Sequence, residues 1–182
     1  MWNTILLVAA LFSPPAIVLE GAPGSVEREA MKKLEFFVGE WRGEGLFRGG
    51  PGPGEKASVV EKAEMKLGGL VLLLEGLGTA KGADGSEKVV HNAFGMLTYD
   101  AKRGMYTMRA VKSDGAAIDA EAKFEGDAFV WGFDVPGGSV RYTIRLTPEG
   151  KWHEVGQFSR DGGKTFTPFF EMTLVKVKPS AG

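Results

Sequence analysis

The chain has 182 residues, with 22 Lys and Arg against 23 Asp and Glu, for a formal net charge of −1. That balance supplies no basic surface of the kind that nucleic acid or an anionic membrane requires. The absence of cysteine excludes disulfides, thiolate zinc, iron–sulfur ligation and thiol catalysis.

Residues 1–22 carry an apolar run, Ile5 to Phe12, which Pro14-Pro15 stops well short of a membrane span. The segment reads as a secretory signal, so the protein is expected to be periplasmic or secreted. The alternative is an over-long translation start, with Met31 as the true beginning and a cytoplasmic protein. Over 25–38 a helix is predicted, capped by Ser25 and ended by Gly39. Val26, Ala30, Leu34, Phe37 and Val38 form its apolar face. Such a helix would lid one end of a barrel.

From Trp41 onward the pattern changes to short alternating runs separated by turn signals such as Gly82-Ala83-Asp84-Gly85, Ser113-Asp114-Gly115 and Pro148-Glu149-Gly150. About ten strands follow, with limits 41–48, 56–66, 70–80, 87–99, 104–112, 116–124, 128–134, 139–147, 151–159 and 166–177. Ile118, Ala120, Ala122 and Phe124 alternate with Asp119, Glu121 and Lys123. Val140, Tyr142, Ile144 and Leu146 likewise alternate with Arg141, Thr143 and Arg145. The fold expected over 39–178 is an all-β, antiparallel up-and-down barrel of about ten strands with a short N-terminal helix. A two-sheet sandwich is the competing architecture. The 27 glycines, about twice the usual share, suit strongly bent strands and tight turns.

The sequence Phe36-Phe37-Val38-Gly39-Glu40-Trp41-Arg42-Gly43-Glu44-Gly45 resembles the opening of lipocalin-like (calycin) barrels, where a short helix precedes a Gly-x-Trp on the first strand. Leu67-Gly68-Gly69, Gly95-Met96-Leu97-Thr98-Tyr99-Asp100 and Arg160-Asp161-Gly162-Gly163-Lys164-Thr165 extend the likeness to an uncharacterised bacterial family within that group, over about residues 31–177. The resemblance implies that Trp41 plugs one end of the barrel and that the interior holds a small hydrophobic molecule. Related nitrobindin-like barrels bind haem through a His on a late strand. Here the final strand has no His, and His153 on the strand before it is the one late candidate, so no cofactor is expected.

Motifs of chemistry are few. Gly163-Lys164-Thr165 imitates the end of a phosphate loop, but Phe158 stands where the first Gly belongs. Ser159 to Phe166 has the form of an Asp-box turn, which hydrogen bonding by Asp161 explains as structure. His91 and His153 are the only histidines, and no spacing for zinc or for a Ser-His-Asp triad surrounds them. No catalytic residue, metal or cofactor is assigned.

The candidate binding residues are polar or aromatic groups on faces that otherwise read inward. Glu61 lies with Ala57, Val59, Ala63 and Met65, and Glu154 with Trp152 and Phe158. Arg109 lies with Met105, Thr107 and Val111. His91 alternates with Ala93, Gly95 and Leu97, although Asn92, Phe94 and Met96 make the opposite face equally apolar, so its direction stays open. Unpaired buried charge is costly, so an internal pair of Glu61 or Glu154 with Arg109 is expected. Trp131, Tyr142, Phe124 and Trp152 would furnish the apolar wall. A one-residue bulge would turn any of these faces the other way. Two further readings stand beside the binding module: an enzyme using the carboxylates for acid–base chemistry on a lipid-like substrate, and a barrel filled by its own side chains that serves protein interaction. Oligomeric state is left open.

Overall fold

Strand pairing closes on itself. In the computed structural model, which describes residues 23–49 and 52–178, ten antiparallel strands follow one another around a barrel, each paired with its neighbours in sequence. They are β1 (Gly39–Phe47), β2 (Glu55–Lys66), β3 (Val71–Lys81), β4 (Glu87–Asp100), β5 (Met105–Lys112), β6 (Ala117–Glu125), β7 (Ala128–Val135), β8 (Gly138–Leu146), β9 (Trp152–Ser159) and β10 (Thr167–Lys176). The last strand completes the ring by pairing with the first, in register from Trp41 opposite Lys176 to Phe47 opposite Phe170. Closure rules out the sandwich and leaves no exposed sheet edge. The expected strand limits agree with the observed ones to within two residues. The signal-peptide reading of residues 1–22 lies outside the described residues.

The predicted helix is two pieces, α1 (Ser25–Lys32) and a 3-10 turn (Glu35–Phe37). Ser25 is not the cap. Gly24 holds that position in a left-handed conformation, and no side chain bonds to the helix start. The tighter turn after Lys32 rotates the buried face, so Met31, Leu34 and Phe37 go inside while Val26, assigned to the apolar face, is 59% exposed. This segment plugs one pole. The Tyr106 hydroxyl donates to Ala30 O at 2.7 Å, and Arg28 Nε donates to Gly68 O in the β2–β3 turn at 3.1 Å.

Trp41 forms the floor, as the resemblance implied. It is 1% exposed, donates its indole N–H to Phe37 O at 2.7 Å and meets Trp152 edge-on at 5.8 Å. Phe37 packs edge-on against both Phe129 and Trp152. Aromatic edge-to-face contacts of this kind add to the burial of large apolar surface, and here they gather it at the pole that α1 covers. Odd-to-even strand connections therefore lie at the opposite, open pole, together with Phe47, Glu55 and Lys112.

Candidate functional site

Inside the barrel, above the aromatic floor, lies a cavity of about 770 Å3. It exists because many inward positions carry little or no side chain. Gly45 and Ala57, Gly76 and Gly78, Ala93 and Gly95, and Ala110 all line it. Phe37, Phe129 and Trp152 close its base, and Leu74, Met108, Ile144 and Met172 form its lower walls. Trp131 and Tyr142 stack on adjacent strands with ring centroids 4.1 Å apart and planes 10° from parallel. The rim is Phe47, Val90, Phe94, Glu55 and Lys112, all exposed, so the cavity meets solvent at the pole away from α1.

Five of the six residues assigned to the site from sequence line this cavity: Glu61, His91, Trp131, Tyr142 and Glu154. Arg109 does not. Its side chain is 59% exposed on the outside of β5, where it makes a two-pronged contact with Asp119 at 2.8 and 2.9 Å. The inward face of β5 is Tyr106, Met108 and Ala110, so the face expected from Met105, Thr107 and Val111 was the outer one. Both faces of that strand are apolar enough that alternation alone could not choose between them. Phe124 also falls short of the cavity and packs instead against Tyr106 and Phe129 at the base.

With Arg109 outside, the two carboxyls stand without the expected cation. Glu154 is 6% exposed, and its Oε2 accepts the Trp152 indole N–H at 3.1 Å. Removal from water pushes its pKa up to about 7, against a smaller downward pull from that indole bond. Glu61 is held well above the ordinary carboxylate value, first by burial and then by the charge of Glu154. Burial also raises the Tyr142 phenol, with Glu154 adding to the effect. Neither glutamate forms a salt bridge among the described residues, so the two carboxyls at the cavity base have no basic side chain paired with them there.

His91 faces inward near the rim, where a β-bulge at Val90 shifts the β3–β4 register. Burial and the nearby Lys112 both lower its pKa, so at neutral pH it is an uncharged imidazole. His153 faces outward and contacts Glu171 at 3.0 Å, away from the cavity. Among the described residues no group of three or more His, Asp or Glu is placed to hold a metal ion. No helix of the described residues is long and apolar enough to cross a membrane.

The sequence reading missed the rim aromatics, Lys112 and Phe170. Their signal was present in the alternation: toward the mouth the small residues Ala93, Gly95 and Ala110 face the lumen, while the large Val90 and Phe94 lie at the rim. In a hollow barrel that inverts the usual expectation that large apolar side chains mark the inside.

No protein-family model matches this chain, and no curated protein sequence matches it. Solved structures do resemble it. Rv2717c from M. tuberculosis superposes with a TM-score of 0.61 at 15% identity, covering 82% of this chain and 98% of that one. An S-type phycobiliprotein lyase, CPES from Guillardia theta, superposes with a TM-score of 0.58 at 12% identity, covering 85% of this chain and 95% of that one. Likeness at this identity speaks for a shared barrel fold and for nothing about activity.

Proposed function

We propose that this protein is a binding module that holds a small hydrophobic or amphipathic molecule inside its barrel. The observation that carries the reading is the cavity itself. Its volume of about 770 Å3 lies within the usual range for small-molecule sites, about 300–1,000 Å3. Its walls are mainly apolar, with Glu61 and Glu154 at the closed end and Glu55, His91 and Lys112 toward the mouth, which is the composition of a pocket that gains affinity from burial and orientation from polar contacts. A barrel serving only as an interaction scaffold would have filled this space with its own side chains.

Native mass spectrometry of protein purified from its own source tests the reading, recorded before and after mild denaturation. The expected result is an additional mass of a few hundred daltons that denaturation releases. Bare polypeptide that also takes up no added hydrophobic probe would overturn the proposal.

One observation favours a second reading. A buried carboxyl with a pKa of about 7 is matched to general acid–base catalysis at neutral pH. In an enzyme, the bound molecule would leave the wild-type barrel chemically changed and leave the Glu154→Gln barrel unchanged. In a binding module, it would leave both unaltered.

A further inference from the structure

Resting on the binding reading above, we propose that the ligand is a cationic amphiphile. Its protonated amine sits between Glu61 and Glu154 at the closed end, and its hydrocarbon part runs past Trp131 and Tyr142 toward the mouth.

The distribution of charge inside the barrel supports this. Two carboxyls occupy the base of the cavity, and the described salt bridges involve neither of them. Glu154 is 6% exposed, and only its Oε2 has a hydrogen-bond donor, the Trp152 indole. Its Oε1 has no protein partner among the described residues. Glu61 has no hydrogen-bond donor among the described residues, yet the chain reserves room for it. Gly76 stands opposite, and a Cβ there would lie 2.7 Å from Glu61 Oε1. A recess cleared for a carboxyl, with nothing supplied to satisfy it, is the arrangement expected where the partner arrives with the ligand.

An ammonium group suits these two carboxyls in chemistry. It carries three donors and no acceptor, so one head can serve both carboxyls and their unused oxygens. Its charge removes the penalty of holding the carboxylates in an apolar base. A fatty acid brought in head-first would add a third acidic group and increase that penalty. A neutral alcohol can only exchange hydrogen bonds with protonated carboxyls. The aromatic pair Trp131–Tyr142 lines the same route, and ring faces attract a passing cation. Among the described residues that line the cavity, the basic groups are Lys112 and His91, both toward the opposite pole, and neither lies at the base with the two carboxyls.

Three twelve-carbon probes with different heads test the proposal: dodecylamine, 1-dodecanol and laurate, titrated below their micellar concentrations into the full chain at pH 7 and followed by calorimetry. The expected result is that dodecylamine binds at least tenfold more tightly than 1-dodecanol, with laurate no tighter than the alcohol. In the Glu61→Gln/Glu154→Gln double variant the preference for the amine disappears while 1-dodecanol binding is retained, which shows the variant to be folded. An amine bound no more tightly than the alcohol overturns the proposal and leaves the binding reading intact. So does laurate binding most tightly, or an amine preference that survives in the double variant. Failure of all three probes to bind the wild type overturns both readings together.

Discussion

Gly76 faces Glu61 across the β2–β3 pair, and a methyl group at Gly76 would touch the glutamate carboxyl at 2.7 Å. The missing side chain on one strand is thus the space that the carboxyl on the next strand occupies. Gly156 does the same on the far wall, where an added Cβ would stand 2.7 Å from the Tyr142 ring and 3.1 Å from Phe169 and Phe170.

These two glycines differ in what surrounds them, and alanine tells them apart. Opposite Gly76 is the free end of a flexible side chain, which can swing toward the cavity. Gly76→Ala therefore costs at most about 1 kcal/mol. Around Gly156 are the rings of Tyr142 and Phe169 and the Cβ of Phe170, which cannot all retreat, so Gly156→Ala costs about 1–3 kcal/mol. Urea denaturation of the two variants checks the order, and an equal loss at both sites would contradict it.

Stability falls as pH rises through the window set by Glu154. Its carboxyl titrates near 4.5 in the unfolded chain and near 7 in the folded protein, so the folded state binds more protons between those values. The loss across that interval reaches roughly 3 kcal/mol at 1.36 kcal/mol for each pH unit, and Glu61 acts in the same direction. Glu154→Gln flattens the slope and is the more stable protein at pH 8. Denaturation midpoints at pH 5, 6, 7 and 8 measure it, and parallel curves for the two proteins would refute the assignment.

Trp41 is worth more to the fold than to the ligand. It lies beneath the cavity rather than on its wall, fully buried among Phe37, Trp152 and the 3-10 turn. Trp41→Ala costs about 3–5 kcal/mol. Trp41→Phe keeps most of the burial but leaves the Phe37 carbonyl without its donor, and costs about 1–3 kcal/mol. Probe affinity of the phenylalanine variant stays within a factor of three of the wild type, measured where the variant is folded.

Gly95 offers a way to close the cavity without breaking the barrel. A Cβ there meets Leu74, Met108 and Ala110 at 3.7–3.9 Å, which is ordinary contact, and the space beyond is the cavity. Gly95→Leu is expected to fold, with an unchanged far-ultraviolet circular dichroism spectrum, and to lose hydrophobic-probe binding by tenfold or more.

The β9–β10 connection is held by one carboxylate. Asp161 accepts hydrogen bonds from the Lys164 and Thr165 amides at 3.0 and 2.9 Å and from the Thr165 and Ser159 hydroxyls at 2.6 and 2.8 Å. Those bonds hold its pKa far below the ordinary value. Asp161→Asn keeps the acceptor but not the charge, and is expected to speed amide exchange at Lys164 and Thr165 while leaving the barrel strands protected. Unchanged exchange at both amides would show that the turn does not depend on this carboxylate.

Much of the barrel was legible because its local signals agree. Turn residues punctuate the strands at regular intervals, and on β2, β6, β8 and β9 the inward faces read from alternation are those observed. Glu61 and Glu154 could be found as polar intruders on such faces. Arg109 could not be placed because β5 is amphipathic in neither direction, and its partner Asp119 lies on a strand whose charged face was already assigned to solvent. Pairing Arg109 with Asp119 across β5 and β6 would have turned it outward. The break in the N-terminal helix had no sequence signal beyond the absence of a cap after Lys32, and the hollow interior depended on how small residues from many strands face one another.

The seam between β1 and β10 carries a topological freedom. Residue 178 leaves the barrel beside β1, where the Val177 amide still bonds to Glu40 O at 2.8 Å, and residue 23 enters at the same plugged pole. The order of the strands around the ring is therefore independent of where the backbone is cut. A linker joining 178 to 23, with new ends opened in the β3–β4 turn near Gly85, would preserve every strand pairing and the aromatic plug. Such a permutant would carry its chain ends beside the mouth, where a reporter attached to them would sense whatever passes through.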